Sequence, residues 1–202
     1  MIVAAETNFV LELAFRQREV HECERLIELA ARQSIDLVIP ACSLFEPYET
    51  LIRRQKERTS ALGSFKREVN ELARSDYYRD LARKAKIVVE PITESSRVYR
   101  ASLHDAVASI LRVATIIPLS ARVMSHALTF PEDWKISPQD AVVVASVELF
   151  MREHSDDLKL FANKNLRDFV RGSVIAHFQQ CDCRILGSFT AARQLSEASL
   201  TS

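Results

Sequence analysis

Short apolar segments, each three to five residues long, most strongly constrain what this chain can fold into. The first, Ile2 to Ala5, ends directly at Glu6, and the next are Asp36 to Pro40, Leu158 to Ala162 and a segment near Arg184 to Leu186. Runs of this kind are typical of parallel strands that are buried on both faces. They predict a central parallel sheet of four to five strands.

Segments with apolar residues at helical spacing lie between these strands. They cover residues 8–18, 20–33, 64–86 and 95–114, a helix from Ser43 to about residue 58, a helix from Pro138 to about Arg152, and one near residues 172–180. Residues 87–89 are a further strand or an extended link. Strands that alternate with helices predict an α/β fold with helices flanking the sheet. We expect one domain, residues 1–202, in which residues of about 53–118 form a helical insertion.

Composition narrows the possible functions. The 27 basic and 27 acidic side chains cancel, so a site for a polyanion must be a local patch. The four cysteines, Cys23, Cys42, Cys181 and Cys183, lack the usual zinc-site spacings. We expect them to be reduced, structural thiols.

The sequence predicts neither a signal peptide nor a membrane span. The apolar start meets Glu6 at once, and the weakly charged stretch from Ala106 to Val123 is interrupted by Arg112, Pro118 and Arg122. We therefore expect a cytoplasmic protein that does not enter a membrane.

Acidic and amide side chains follow several predicted strands. Glu6 stands directly after the first strand, and Glu46 and Asp140 each lie three residues after a serine that can cap a helix, Ser43 and Ser137. The polar stretch after Leu158 to Ala162 contains three more such side chains, Asn163, Asn165 and Asp168. A capping box explains Glu46 or Asp140 taken singly. In parallel sheets, however, ligands bind outside the carboxyl ends of the strands.

Several carboxylates on one rim repel one another. At about 4 Å and an effective dielectric constant of about 20, a like-charged pair costs on the order of 4 kcal/mol. A true cluster therefore requires a bound cation or raised pKa values. Oxygen ligands favour Mg²⁺ or Mn²⁺, which can assist hydrolysis of a phosphodiester.

Four motifs in this order resemble those of the PIN-domain ribonucleases, many of which are toxins of toxin–antitoxin pairs. They are Glu6-Thr7-Asn8, Glu46 in the following helix, Ser137-Pro138-Gln139-Asp140-Ala141, and residues 163–169, Asn-Lys-Asn-Leu-Arg-Asp-Phe. Together they span nearly the whole chain. The resemblance implies a metal-dependent endoribonuclease.

The same resemblance implies which residues bind metal. The ligands would be Glu6, Glu46 and Asp140, completed by Asn165 or Asp168, and Glu6, Glu46, Asp140 and Asp168 would be catalytic. The family usually has Asp at the position of Glu6, so this chain departs from the pattern by one methylene group. The family also implies RNA as substrate, an antitoxin that covers the acidic crevice, and a homodimer.

A basic segment is the second candidate for contact with RNA. Residues 53–86 contain eleven Lys and Arg side chains against five acidic ones. We expect phosphate contacts from Arg53, Arg54, Lys56, Arg58, Lys66 and Arg67, with stacking by Phe65, Tyr77 and Tyr78. A solvated helix face is the structural alternative.

Other functional readings remain open at this level. One is a PIN-like module that binds RNA or a protein without efficient catalysis, which the glutamate at position 6 favours. Another is a phosphotransfer enzyme like the haloacid dehalogenases, but that chemistry needs an aspartate nucleophile where this chain has Glu6. The five histidines, His21, His104, His126, His154 and His177, show no paired spacing and suggest no metal site, and Trp134 is expected to be a packing residue.

Overall fold

The first apolar run, Ile2–Ala5, is the central strand β1 of a five-stranded, all-parallel sheet. The computed structural model of the chain describes residues 1–87, 89–154, 158–164 and 172–200. The other strands are β2, Asp36–Pro40, β3, Thr115–Ile117, β4, Lys159–Ala162, and β5, Cys183–Leu186. Their spatial order is β3-β2-β1-β4-β5. The predicted α/β fold is thus confirmed.

Strand β1 is buried on both faces, as its unbroken apolar sequence predicted. Its alternate side chains enter different cores: Val3 and Ala5 join one cluster, and Ile2 and Ala4 join the other. This two-residue alternation is the basic geometry of a strand. Residue Ile2 is in register with Asp36 of β2 and with Lys159 of β4.

Nine α-helices and one short 3-10 helix, Glu132–Trp134, flank the sheet in the described ranges. The α-helices are α1, Thr7–Phe15, α2, Val20–Ala31, α3, Ala41–Leu72, α4, Arg79–Ile87, α5, Val89–Leu111, α6, Ala121–Ala127, α7, Pro138–Arg152, α8, Gly172–Gln179, and α9, Phe189–Leu200. Helix α7 has the predicted start, with Ser137 as its N-cap and Pro138 at the first position. None of these helices combines the length and apolar character that crossing a membrane requires.

Helix α3 differs from the expectation. It begins at Ala41, directly after β2, so Ser43 is a buried residue of its first turn and not an N-cap. The helix then continues through Gly63 to Leu72, where the sequence had suggested two helices. Pro47 lies inside it and removes the hydrogen bond that the Ser43 carbonyl would otherwise accept.

The region after α3 also corrects two boundaries. Ile87 ends α4 and Val89 begins α5, so neither belongs to a strand, and Val88 lies outside the described residues. Helix α5 ends at Leu111 and not at Ala114 as predicted. Residues 115–117 then pair with β2 as strand β3. The sequence analysis missed β3, α6 and α9. All four cysteines are free thiols, as expected.

Helix α9, which was not predicted from the sequence, packs into one of the two cores. The contribution of this packing to stability can be tested. Phe189 is fully buried and its ring packs edge-to-face on Phe9, with centroids 5.3 Å apart. We expect Phe189→Ala to lower the free energy of unfolding by about 3–5 kcal/mol. Phe45→Ala is the matched control, because Phe45 is 69% exposed. Urea unfolding measures both, and equal losses in the two variants would refute this packing.

Candidate active site

Glu6 is a buried carboxylate at the carboxyl end of the central strand. It is 7% exposed and serves as the N-cap of α1. The backbone N–H of Asn8 donates to its Oε2 at 3.1 Å, and Asn8 Nδ2 donates to its Oε1 at 2.8 Å. The sequence predicted this position at the edge of the sheet, and the structure shows that the side chain also points into a poorly hydrated environment.

Burial raises the pKa of Glu6 to about 7. The two hydrogen bonds from Asn8 oppose this shift, whereas the negative charges of Glu46 and Asp140 add to it. The three acids come from β1, α3 and α7, three separate elements. The effect of Glu46 and Asp140 on Glu6 shows that both carboxylates lie within electrostatic range of it, around one crevice at the carboxyl edge of the sheet.

Glu46 lies in the second turn of α3 and is partly buried. Its Oε2 accepts a 2.5 Å hydrogen bond from Thr7 Oγ1. The predicted capping box with Ser43 is therefore wrong, because α3 begins two residues before that serine. The carboxylate is instead oriented by the threonine that follows Glu6 in the chain, which links α3 to the start of α1.

Asp140 lies in the first turn of α7, where the predicted cap is confirmed. Its backbone N–H donates to Ser137 Oγ at 3.1 Å, and Ser137 Oγ donates to Asp140 Oδ2 at 2.7 Å. The second Asp140 oxygen, Oδ1, is not used by this pair. The carboxylate is thus oriented by its own helix cap while remaining partly exposed at the crevice.

The three acids are neighbours but not a closed ligand shell. Their oxygen atoms do not all lie within 4.8 Å of one another, a separation that one other group of the described residues does meet. The remaining predicted ligands, Asn165 and Asp168, lie outside the described residues. Asn163, at the end of β4, is fully buried and its backbone N–H donates to Leu186 O at 2.9 Å.

An apolar groove of about 480 Å³ adjoins the acidic crevice. Its walls come from α3, α6, α7 and the turn after β3. The lining residues are Cys42, Phe45, Glu46, Glu49, Leu119, Met124, Pro138, Gln139, Val142 and Val143. Glu46 therefore belongs to both the crevice and the groove, so a molecule in the groove lies beside the carboxylates.

The basic segment extends from the site along α3. Because a helix rises 1.5 Å per residue, Arg53 lies about 10 Å and Lys66 about 30 Å along the axis from Glu46. Arg53, Lys56, Lys66 and Arg67 are exposed, and Arg67 donates to Ser64 Oγ at 3.1 Å on the same helix.

Two of the predicted phosphate-binding arginines also make contacts within the fold. Arg54 stacks over the Phe15 ring at 5.7 Å, and Arg58 stacks over Tyr99 at 5.2 Å. Arg58 also donates to Ser95 Oγ at 3.1 Å. These side chains attach α3 to α1 and α5, so Arg53, Lys56 and Lys66 are the better candidates for phosphate contacts.

A second titratable cluster was missed by the sequence analysis. Glu148 of α7 is fully buried between His126 of α6 and His177 of α8, and Arg152 donates to it at 2.7 Å. Burial would raise the pKa of Glu148, but these three neighbours hold it below its ordinary value. No spacing in the sequence predicts this cluster, because its members come together only when α6, α7 and α8 pack against one another. Trp134 is buried beside it, as a packing residue should be.

Comparison of the chain with protein-family models, curated proteins and solved structures gave no match.

The buried Glu6 predicts a pH-dependent stability in metal-free buffer with EDTA. Its folded pKa of about 7 is raised above the value of 4.5 for a free side chain, so folding retains a proton between these pH values. The free energy of unfolding should fall by roughly 3 kcal/mol as the pH rises through this window. Glu6→Gln should remove this part of the pH dependence.

Urea unfolding of both proteins at about pH 5 and about pH 8 measures the effect. The variant should gain stability relative to the wild type at the higher pH. If the free energies of unfolding of the variant and the wild type differ by the same amount at both pH values, Glu6 is ionised in the folded protein at both.

Proposed function

We propose that this chain is a divalent-metal-dependent endoribonuclease whose acidic crevice is formed by Glu6, Glu46 and Asp140. The observation that supports this most directly is that the carboxylates of Glu46 and Asp140, distant in sequence, lie close enough to Glu6 for their charges to add to the raised pKa that burial gives it. A fold maintains such repulsion at a cost, and a cation between the carboxylates would offset it. The motif order that resembles PIN-domain ribonucleases supports the same reading.

The donor set fits Mg²⁺ or Mn²⁺. All three side chains offer carboxylate oxygen, the ligand type that these hard cations prefer. Each carboxylate is already oriented by a hydrogen-bond donor: Asn8 for Glu6, Thr7 for Glu46 and Ser137 for Asp140. Asn165 or Asp168 would complete the set. A divalent cation bound here would supply Lewis-acid polarisation of a phosphodiester and a lowered pKa of water.

The chain's own residues then have distinct tasks. Glu6 and Asp140 would offer carboxylate oxygen to the cation, and the Asn8 amide and the Ser137 hydroxyl keep those side chains in position. The basic side chains of α3 would bind the RNA backbone on one flank. Tyr77, which is 87% exposed beyond the end of α3, is available for stacking with an unpaired base.

The sequence, in which no signal peptide or membrane span is predicted, supports a cytoplasmic location for this nuclease. The family resemblance supports an antitoxin protein that covers the crevice and its neighbouring groove, and self-association as a homodimer. A second candidate function is an RNA-binding or protein-binding module. It is favoured by the open spacing of the three carboxylates and by the glutamate where the family usually has aspartate.

Replacing Asp140 tests the nuclease directly. Asp140→Asn removes the charge but keeps an oxygen that can accept from Ser137, so the helix cap is retained. We expect cleavage of a mixed single-stranded and hairpin RNA pool, with Mg²⁺ or Mn²⁺, to fall at least about 100-fold. EDTA should have the same effect on the wild type.

The matched control is Asp36→Asn, because Asp36 is an exposed acid at the opposite, amino-terminal edge of the same sheet. It should cleave like the wild type. RNA binding without cleavage by the wild type under every metal condition would favour the binding module. Full activity in Asp140→Asn would exclude the proposed site.

Exposed cations of α3 should determine the salt dependence of RNA binding. In the triple variant Arg53→Ala, Lys56→Ala, Lys66→Ala, the slope of log affinity against log salt concentration should become shallower by about 2, because three phosphate contacts to single-stranded RNA are lost. Fluorescence anisotropy in EDTA, where cleavage is absent, measures this slope.

Arg25→Ala is the control, because that arginine is paired with Glu28 and Glu197 at 2.8 Å on the face formed by α2 and α9. Its slope should match the wild type. An unchanged slope in the triple variant would identify the basic face of α3 as solvated surface only.

A further inference from the structure

The cluster of His126, Glu148 and His177 has a donor set unlike that of the acidic crevice. Its two imidazole nitrogens and one carboxylate oxygen all lie within 4.8 Å of one another, with Nε2 of His126 at 2.8 Å and Nε2 of His177 at 2.6 Å from Glu148 Oε2. Glu148 is completely buried, and the two histidines are 28% and 20% exposed. Both rings present the same nitrogen to the same oxygen.

The contact between His177 and Glu148 is short but poorly directed for a hydrogen bond. His177 Nε2 is buried and, despite its short distance to Glu148, has no partner with hydrogen-bond geometry in the described part of the chain. A buried nitrogen whose contact is poorly directed leaves its hydrogen-bonding capacity partly unused. The lone pair of an imidazole nitrogen in this position can bind a cation.

We propose that His126, Glu148 and His177 bind one divalent transition-metal cation of the zinc class, which joins α6, α7 and α8. Two imidazoles, one carboxylate and a water molecule make up a common tetrahedral set for Zn²⁺. At metal–ligand distances of about 2.1 Å, the ligand atoms of such a site lie about 3.4 Å apart. The cluster reaches this spacing through side-chain shifts of under about 1 Å.

The surroundings of the cluster suit a bound cation. Arg152 Nε donates to Glu148 Oε1 at 2.7 Å, which orients the carboxylate so that Oε2 faces the two histidines. Phe130 and Trp134 are stacked with centroids 4.9 Å apart, and both contact the His177 ring edge-on. This apolar cover limits the access of water. The nitrogen-containing donor set selects zinc-class ions over the Mg²⁺ or Mn²⁺ expected in the acidic crevice.

Trp134 provides a direct test in the wild-type protein. It is the only tryptophan of the chain, and its ring centroid lies 5.1 Å from that of His177. The full chain, without an affinity tag, is stripped with EDTA, exchanged into excess Mg²⁺ to fill the acidic crevice, and titrated with Co²⁺. We expect quenching of Trp134 fluorescence that saturates at one Co²⁺ per chain, with visible absorption bands of low-symmetry Co²⁺, and reversal by Zn²⁺.

Variants locate the bound ion. His126→Ala and Glu148→Gln should each weaken Co²⁺ binding at least about tenfold. His21→Ala, at a histidine with a 79% exposed side chain, and Asp140→Asn, in the acidic crevice, should bind like the wild type. The last variant keeps this result separate from the proposed nuclease activity, which it should abolish. Circular dichroism verifies that each variant folds.

A spectrum of the wild type keeps the test decisive if the core variants do not fold. In a long-range ¹H–¹⁵N correlation spectrum of the imidazoles, Zn²⁺ should shift two of the five histidines. Absence of saturable quenching, quenching unchanged in the folded His126→Ala and Glu148→Gln proteins, or Zn²⁺ shifts spread over all histidines would each overturn the proposal. The cluster would then be a metal-free network around a buried carboxylate.

Discussion

The burial of Glu6 is the constraint on which the candidate site depends. Strand β1 is covered on both faces, and the chain reaches Glu6 one residue after that strand ends, before it can reach solvent. The carboxylate is tolerated there because it caps α1, where it accepts two hydrogen bonds from Asn8 and faces the positive end of the helix dipole. The position of β1 in the sheet thus also fixes Glu6, the acid of the crevice with the raised pKa.

The start of α1 extends this effect to the rest of the crevice. Thr7, the residue after Glu6, donates a hydrogen bond to Glu46. The start of α1 therefore orients Glu46 and has Glu6 as its N-cap. Asp140 is oriented independently by Ser137. Glu6 and Asp140 are therefore positioned by local hydrogen bonds, whereas Glu46 is positioned by a long-range one. The effect of the charges of Glu46 and Asp140 on Glu6 is likewise tertiary.

Local signals in the sequence were enough to predict the elements that support the crevice. β1 and β2 were predicted with their observed bounds, because unbroken apolar runs next to turn residues have few alternatives. The start of α7 was predicted from Ser137 and Pro138, whose capping roles depend only on neighbouring residues. Glu6 and Asp140 follow from these two elements, so their placement near each other could be inferred.

Features that depend on tertiary packing could not be predicted in the same way. β3 has only three residues and becomes a strand by pairing with β2, and α9 is fixed by Phe189 entering a core formed by distant residues. The capping pattern at Ser43 was misleading, because α3 starts where β2 ends and buries that serine. Repulsion between Glu6 and the other acids, and the meeting of His126 with His177, likewise exist only in the folded chain.

Helix α7 connects the acidic crevice to the cluster of His126, Glu148 and His177. Asp140 lies in its first turn and Glu148 two turns further, about 12 Å along the axis. Glu148 contacts side chains of α6 and α8 as well as Arg152 of its own helix, so the position of α7 is fixed at its buried middle. Because Asp140 and Glu148 belong to one helix, the contacts of Glu148 also help to hold the helix that carries Asp140. The packing of a fully buried acid thus supports the element that presents a partly exposed one.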